Sequence, residues 1–314
     1  MNCHCCQSDE IKRRGHYRNK NFTVQRFECL RCGKAFSEKQ PLDGLRVDIN
    51  KACQVVHLLC EGMGIRAIER LTQLNRRTVL NILETAGQKA SEFQDAKVYA
   101  VDADLIQADE INSFVYSKQR NTEDNNLERG DQYTFLSVDK RSKLIINALV
   151  GKRTRENAEQ FLNDLKRRMA PRPFQLTTDN WHIYSGYTGA VRAVFGQDVN
   201  YATETKYYAR PAEYLPRRLI RIKRKSQIGE PDMDKATTCH AERTNLSVRT
   251  FTRRFTRCTL GYSKKLENMK QAVALFVWHF NFARIHSAHG RTPAQAAGLV
   301  SKTFTISELL TTQI

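Results

Sequence analysis

The spacing of apolar residues changes period after Gln94, and that change limits the fold more than any other feature. From about residue 47 to 90 they recur at helical intervals: Ala52, Val55, Val56 and Leu59, then Ile65, Ile68 and Leu71, then Val79, Ile82 and Leu83. After Gln94 the period becomes that of strands. Residues 98–115, 132–138 and 143–150 read as three successive strands rich in Val, Ile, Phe and Tyr, with a polar loop at 119–130. Residues 154–169 form an amphipathic helix with Ala158, Phe161, Leu162 and Leu165 on one side, stopped by Pro171 and Pro173. A short strand at 174–178 ends at Asp179. A helix from about 183 to 195 and a strand near 199–203 follow.

Three strands, helix, strand, helix, strand is the order of a ribonuclease-H-like α/β core. Such a fold puts one carboxylate in its first strand and another at the end of its fourth, where Asp109 and Asp179 stand. The third acid comes from a later helix, and Glu242 lies near the start of one. A carboxylate inside an apolar strand is costly to desolvate unless a counter-ion meets it, so a metal is the expected partner of Asp109. Glu110 should point to the opposite face of the strand. Asp102, Asp104, Asp131 and Asp139 read as turn or surface residues.

Two C-x-x-C pairs, Cys3/Cys6 and Cys29/Cys32, flank a short β-rich insert and supply the thiolate set of a structural zinc ribbon at 1–40. So short a module has too little core to fold without metal. His4 and Cys5 leave the N-terminal ligands slightly ambiguous. Lys12, Arg13, Arg14, Arg18 and Lys20 either contact phosphates or form a solvated face. Residues 41–44 look like a linker. The three helices of 44–93 fit a helix-turn-helix domain whose recognition helix opens with Arg76 and Arg77; an ordinary three-helix bundle is the alternative.

The remaining region, 97–300, holds the acids. Its 205–238 stretch reads as a mobile basic insert carrying Arg217, Arg218, Arg221, Lys223, Arg224 and Lys225, suited to following a DNA backbone. Past Glu242 come Arg243, Arg249, Arg253, Arg254 and Arg257, then a long helix at 264–283 that buries Val273, Leu275, Phe276 and Trp278. His279, His286 and His289 read as structural or phosphate-contacting rather than metal-binding. Residues 301–314 read as a C-terminal tail.

The net charge of +18 favours a polyanionic partner, and nucleic acid is the commonest. No run of eighteen apolar residues suggests a membrane span, and the N-terminus lacks the apolar stretch of a signal peptide, so a cytoplasmic protein is expected. In a reducing compartment the nine cysteines point to metal ligation or buried thiols, with Cys53, Cys60, Cys239 and Cys258 as packing residues.

Read together, these segments resemble the DDE transposases of bacterial insertion sequences of the insertion-sequence-one type. The likeness runs through Arg31-Cys32-Gly33-Lys34-Ala35-Phe36, Gln107-Ala108-Asp109-Glu110-Ile111, Ser113-Phe114-Val115 and Gly130-Asp131-Gln132-Tyr133. It continues through Leu149-Val150-Gly151-Lys152-Arg153-Thr154, Thr177-Thr178-Asp179, Glu242-Arg243-Thr244-Asn245-Leu246 and the stretch from Arg253 to Arg257. It reaches Ser263-Lys264-Lys265-Leu266, Asn281-Phe282 and Thr292-Pro293-Ala294.

The resemblance implies a zinc-binding and helix-turn-helix region followed by a ribonuclease-H-like catalytic domain with Asp109, Asp179 and Glu242 as its acids. Two Mg²⁺ (or Mn²⁺) ions would be held there, Asp109 bridging both, Asp179 on one and Glu242 on the other. It further implies binding to terminal inverted repeats, cutting and joining of double-stranded DNA, a homo-oligomer in the synaptic complex and a nucleoid-associated place in a bacterial cytoplasm. One position departs from the family pattern: Asn112 stands where a tryptophan usually follows the Asp-Glu-Ile of the first strand. A decayed or domesticated copy acting as a zinc-ribbon and helix-turn-helix regulator is the alternative.

Overall fold

The computed structural model describes the chain apart from residues 19–22, 38–41, 43–44, 46, 124–125, 181–185, 210–217 and 313–314. At the N-terminus β1 (Ile11–Arg18), β2 (Thr23–Cys29) and β3 (Ala35–Ser37) form an antiparallel three-stranded sheet. Its apolar content is small: Val24 and Phe27 are buried, and the Phe27 and Phe36 rings stack 5.8 Å apart. Lys20 and most of the 41–44 linker fall outside the described residues, while Leu42 within it is buried.

Three helices follow: α1 (Ile49–Cys60), α2 (Ile65–Thr72) and α3 (Arg76–Lys97). Asp48 caps α1 by accepting from Asn50 N at 2.9 Å, and Asn75 caps α3 by accepting from Arg77 N at 2.9 Å. Helix α3 runs past the expected end because its inward stripe continues through Ala90, Phe93 and Gln94, all buried. It lies against α7 (Leu266–Trp278), and the approach is close. A Cβ on Gly87 would come within 2.6 Å of the Gln271 carbonyl oxygen, so glycine is required at that crossing.

The remaining elements build a six-stranded mixed sheet: β4 (Leu105–Val115), β5 (Gly130–Asp139), β6 (Ile145–Gly151), β7 (Gln175–Asp179), β8 (Asn200–Ala209) and β9 (Arg218–Ile228), in the spatial order β6-β5-β4-β7-β8-β9. β5 is antiparallel to β4 and β6, whereas β7 runs parallel to β4 and β8. From β4 to β8 the succession is three strands, α4 (Arg155–Arg168), β7, α5 (Gly186–Phe195), β8, as read from the sequence.

Alternation divides the core in two. On one face Ile106, Phe135, Ile146 and Leu176 pack with Phe161, Leu162 and Tyr187 of α4 and α5, in a cluster that continues into α1 and α3. On the other, Ile111, Leu136, Val138 and Ile145 pack under Val248 of α6 (Cys239–Phe251) and Val273, Phe276 and Val277 of α7.

Several expectations need correction. The first strand of this sheet begins at Leu105 rather than 98, because 98–104 is a connection that buries only Val98, Val101 and Ala103 and whose Val101 pairs with Met169. The 205–238 stretch is not a mobile loop in its described part. β9 pairs antiparallel with β8 from Ile228 to Arg218, and the hairpin outruns β7, whose register with β8 stops at Asp179 and Glu204. The supposed tail contains α9 (Ile306–Thr311), which buries Ile306, Leu309 and Leu310 in the larger core and is closed by a Thr305/Glu308 capping box. The long helix at 264–283 is α7 followed by a π-helical turn at His279–Ala283. Among the described residues no helix is long and apolar enough to cross a membrane.

Candidate functional site

The N-terminal sheet brings Cys3, Cys6, Cys29 and Cys32 together, all four sulfurs within 4.8 Å of one another. The Cys6–Cys29 and Cys3–Cys32 sulfurs are 3.5 and 3.6 Å apart. A zinc–thiolate tetrahedron with bonds of about 2.3 Å has edges of roughly 3.8 Å, so the four thiols fit that ion without rearrangement. Backbone N–H groups of Cys6 and Cys5 aimed at Cys3 bring its thiol down to about 6, whereas at Cys32 the pull of the Lys34 N–H is outweighed by burial and the neighbouring sulfurs, which push that thiol up to about 12. Cys5 is exposed and the His4 ring lies 4.9 Å from Phe36, outside the four-sulfur group.

The second grouping lies on the six-stranded sheet. Asp109, in the middle of β4, and Asp179, the last residue of β7, are brought side by side by the parallel register that pairs Ala108 with Thr178. The third member is Glu110: one carboxylate oxygen each from Asp109, Glu110 and Asp179 lies within 4.8 Å of the others. Glu110 was expected to turn away, and its neighbours are indeed those of the α4/α5 face. The carboxylates still converge because the register of β4 with β7 ends at Ala108 and Thr178, so among the described residues no strand pairs with that edge of β4 beyond Ala108 and the side chains can reach round it.

Charge repulsion marks the cluster. Burial, then Glu110, Asp179 and Glu242, push the Asp109 carboxyl up to about 8. Burial and Asp179 push Glu110 up to about 7, against the pull of Arg153. The Arg153 guanidinium meets Glu110 directly, stands 3.8 Å from Asp179 and lies 5.4 Å over the Tyr133 ring. An all-oxygen set of three carboxylates, with Arg153 on Glu110 and near Asp179, is the donor chemistry of a hard divalent cation. The residues therefore fit Mg²⁺ or Mn²⁺.

Glu242 is close to this cluster but not in it. It sits in the first turn of α6, and that helix is docked on β4 by two contacts absent from any motif reading. Gln107 Oε1 accepts from the N–H of His240 at 2.7 Å and of Ala241 at 3.2 Å, capping the helix from inside a strand. One turn beyond Glu242, Asn245 Nδ2 donates to Asp109 Oδ2 at 2.8 Å. The Glu242 carboxylate is engaged by Lys206 Nζ and by Thr238 Oγ1 at 2.9 Å. Lys206 belongs to β8 and also lies 3.4 Å from Glu204, a buried acid that Arg224 meets at 3.2 Å.

The cationic positions fall on three surfaces. Arg76 and Arg77 are exposed at the start of α3, Arg76 being 3.3 Å from Glu69. Arg218, Arg221, Lys223, Arg224 and Lys225 are exposed along β9, with Arg221 4.6 Å over the Tyr207 ring; Arg217 lies outside the described residues. Arg243 is exposed on α6, while Arg249, two turns after Glu242, is half-buried and feels the charge of Asp109. Asn112 is exposed on β4, opposite Tyr133.

Neither a protein-family model nor a curated protein matches the sequence. Among solved structures the chain is similar to one in the piggyBac transposase synaptic complex with hairpin DNA, at 11% identity over 87% of this chain and 74% of that chain, TM-score 0.39. A chain of the simian T-cell lymphotropic virus intasome in complex with PP2A regulatory subunit B56 gamma gives 13% identity over 77% and 71%, TM-score 0.36. One of a pre-cleavage Mos1 transpososome gives 11% over 52% and 61%, TM-score 0.20. These scores are too low to carry an activity across.

Proposed function

We propose that the chain is a DDE transposase, which binds the inverted repeats at the ends of an insertion sequence and carries out Mg²⁺-dependent cleavage and strand transfer on a ribonuclease-H-like core. The observation that carries this reading is the meeting of Asp109 and Asp179, seventy residues apart in sequence, in one carboxylate cluster beside the helix that bears Glu242. Asp109 and Asp179 would hold the divalent cations, with Glu242 or Glu110 supplying the third carboxylate. A cation pair bound there would favour the attacking oxygen and stabilise the leaving one. Arg249 on the same helix is positioned to neutralise a scissile phosphate, and Arg153 orients Glu110.

The other parts of the reading follow the charge. The α2–α3 pair acts as the helix-turn-helix, with Arg76 and Arg77 entering a groove, and the zinc ribbon adds a second contact. The cations of β9 and Arg243 follow the backbone of double-stranded DNA, and synapsis of two ends makes the working form a homo-oligomer in the bacterial cytoplasm. Incubation with labelled repeat ends should give nicked product with Mg²⁺ or Mn²⁺ and none with chelator. Asp109→Asn should reduce nicking to background while repeat binding is kept. Undiminished nicking by that variant would overturn the assignment.

A second reading, a regulator that binds DNA without cutting it, is favoured by one contact: Glu242 is tied to Lys206 and Thr238 rather than joined to Asp109 and Asp179. Repeat binding with no cutting under any divalent metal would select it.

A further inference from the structure

Beyond the acids, β4 leads to an aromatic and cationic patch that none of the roles above uses. Tyr116, the residue after β4, has a left-handed backbone (φ 66°), a strained conformation for a non-glycine residue. Its N–H is held by Ser263 O at 2.9 Å and its ring is 49% exposed. The Arg129 guanidinium lies 4.2 Å from the centre of that ring and Lys264 Nζ 5.9 Å. Lys264 also stands 4.7 Å over Tyr262, whose ring is 4.7 Å from that of Phe114.

The platform is built rather than incidental. Lys152 Nζ donates to the carbonyls of Arg129 at 2.5 Å and Asp131 at 3.1 Å, fixing the start of β5 beside Tyr116. Gly130 between them has φ 78°, which a side chain would strain. Arg129, Lys264, Lys265 and Lys270 line a 400 Å³ cleft in which Glu128 and Glu267 are the only acids among the described lining residues, and Glu267 is bonded to Gln271. Charge therefore favours an anionic occupant.

The patch is continuous with the acids. Glu110, Asn112 and Phe114 share one face of β4, and Tyr133, opposite Asn112, lies under the same Arg153 that meets Glu110 and Asp179. Five residues of strand, 111–115, separate Glu110 from Tyr116, a span of roughly 20 Å. Aromatic faces alternating with cations are what an unpaired nucleic-acid strand uses, since its bases are free to stack while its phosphates seek charge. A duplex keeps its bases stacked on each other and has none free for these rings, so it gains nothing from a patch built this way.

We propose that Phe114, Tyr116 and Tyr262, with Arg129, Lys264 and Lys265, form a track for an unpaired DNA strand running to or from the carboxylate cluster. This rests on the reading of the chain as a DNA-cutting enzyme and names the form of DNA that leaves the site. The test uses the full chain carrying Asp109→Asn in buffer without added Mg²⁺ or Mn²⁺ and without chelator, so that the zinc site is kept, binding is read without cutting and its outcome is separate from that of the nicking assay. Fluorescence anisotropy is measured with a labelled oligothymidine and with a duplex of equal length.

The Tyr116→Ala, Tyr262→Ala double variant should weaken oligothymidine binding about tenfold or more and duplex binding by less than about twofold. Tyr116→Phe should keep the parental affinity. Where the double variant does not fold, Lys264→Gln is read instead: it should lower the salt slope for oligothymidine by about one and leave the duplex slope unchanged. Equal losses on both DNAs, no loss on either, or displacement of oligothymidine by polyglutamate as readily as by unlabelled oligothymidine would overturn the track.

Discussion

The chain holds two clusters of metal-type ligands, and they stand in opposite relations to the fold around them. In residues 3–37 four sulfurs, of which only Cys29 belongs to a strand, gather at the end of a sheet with almost no apolar core, so the ligands hold the fold. In the six-stranded sheet two apolar cores, one on each face, fix the strands regardless of any ion, and the fold holds the ligands. Its carboxylates are destabilising by themselves, as the raised Asp109 and Glu110 values record. A structural site and a reactive site can thus be told apart by which one the core could do without.

The largest expected effect tests that contrast directly. Zinc chelation, or Cys29→Ser, should unfold β1–β3 and leave β4–β9 folded, since a structural zinc contributes roughly 10–16 kcal/mol of apparent binding free energy to a module of this kind. Hydrogen exchange followed peptide by peptide checks it, and protection surviving in β2 without metal would erase the distinction. A smaller effect is expected at Gln107, whose replacement by Ala strips α6 of its internal cap and should cost about 1–3 kcal/mol. Denaturant melts give that number. The comparison is sharpened if nicking falls further than stability does, because Asn245 and Glu242 ride on the same helix.

The smallest effect concerns pH. Burial and the neighbouring Arg284 bring His279 down to about 4, from 6.5. A depressed folded-state value means the unfolded chain binds more protons between those two limits, so this residue's contribution to stability is present above pH 6.5 and is lost as pH falls towards 4. His279→Gln should flatten the rise of melting temperature across that window. An unchanged slope would show that His279 is solvated as in the unfolded chain.

Much of the site was legible because it depends on local pattern. The C-x-x-C spacing closes a chelate, and a carboxylate interrupting an apolar strand marks Asp109 whatever the rest of the chain does. Glu110 was set aside by strand alternation, which fixes the direction of Cβ but not how far a side chain reaches round an edge that no strand among the described residues covers. Gln107 left a faint signal, a polar residue two places before Asp109 that ends up buried. Arg153 and Asn245 appeared only inside motif stretches with no role attached, and Lys206 left no signal, since each acts on an acid more than thirty residues away. The basic stretch at 205–238 was read as a loop because nothing in its charges announces that β8 will extend to pair with it.

By itself, then, the sequence determined most of the elements up to β8, their order, and which residues can bear metal chemistry, because helix period, strand period and ligand spacing are short-range properties. Only the tertiary structure decided which acids share a site, which cation each one faces, and that the last helix packs into the core. Those depend on strand register and helix docking, where residues far apart along the chain become neighbours through packing.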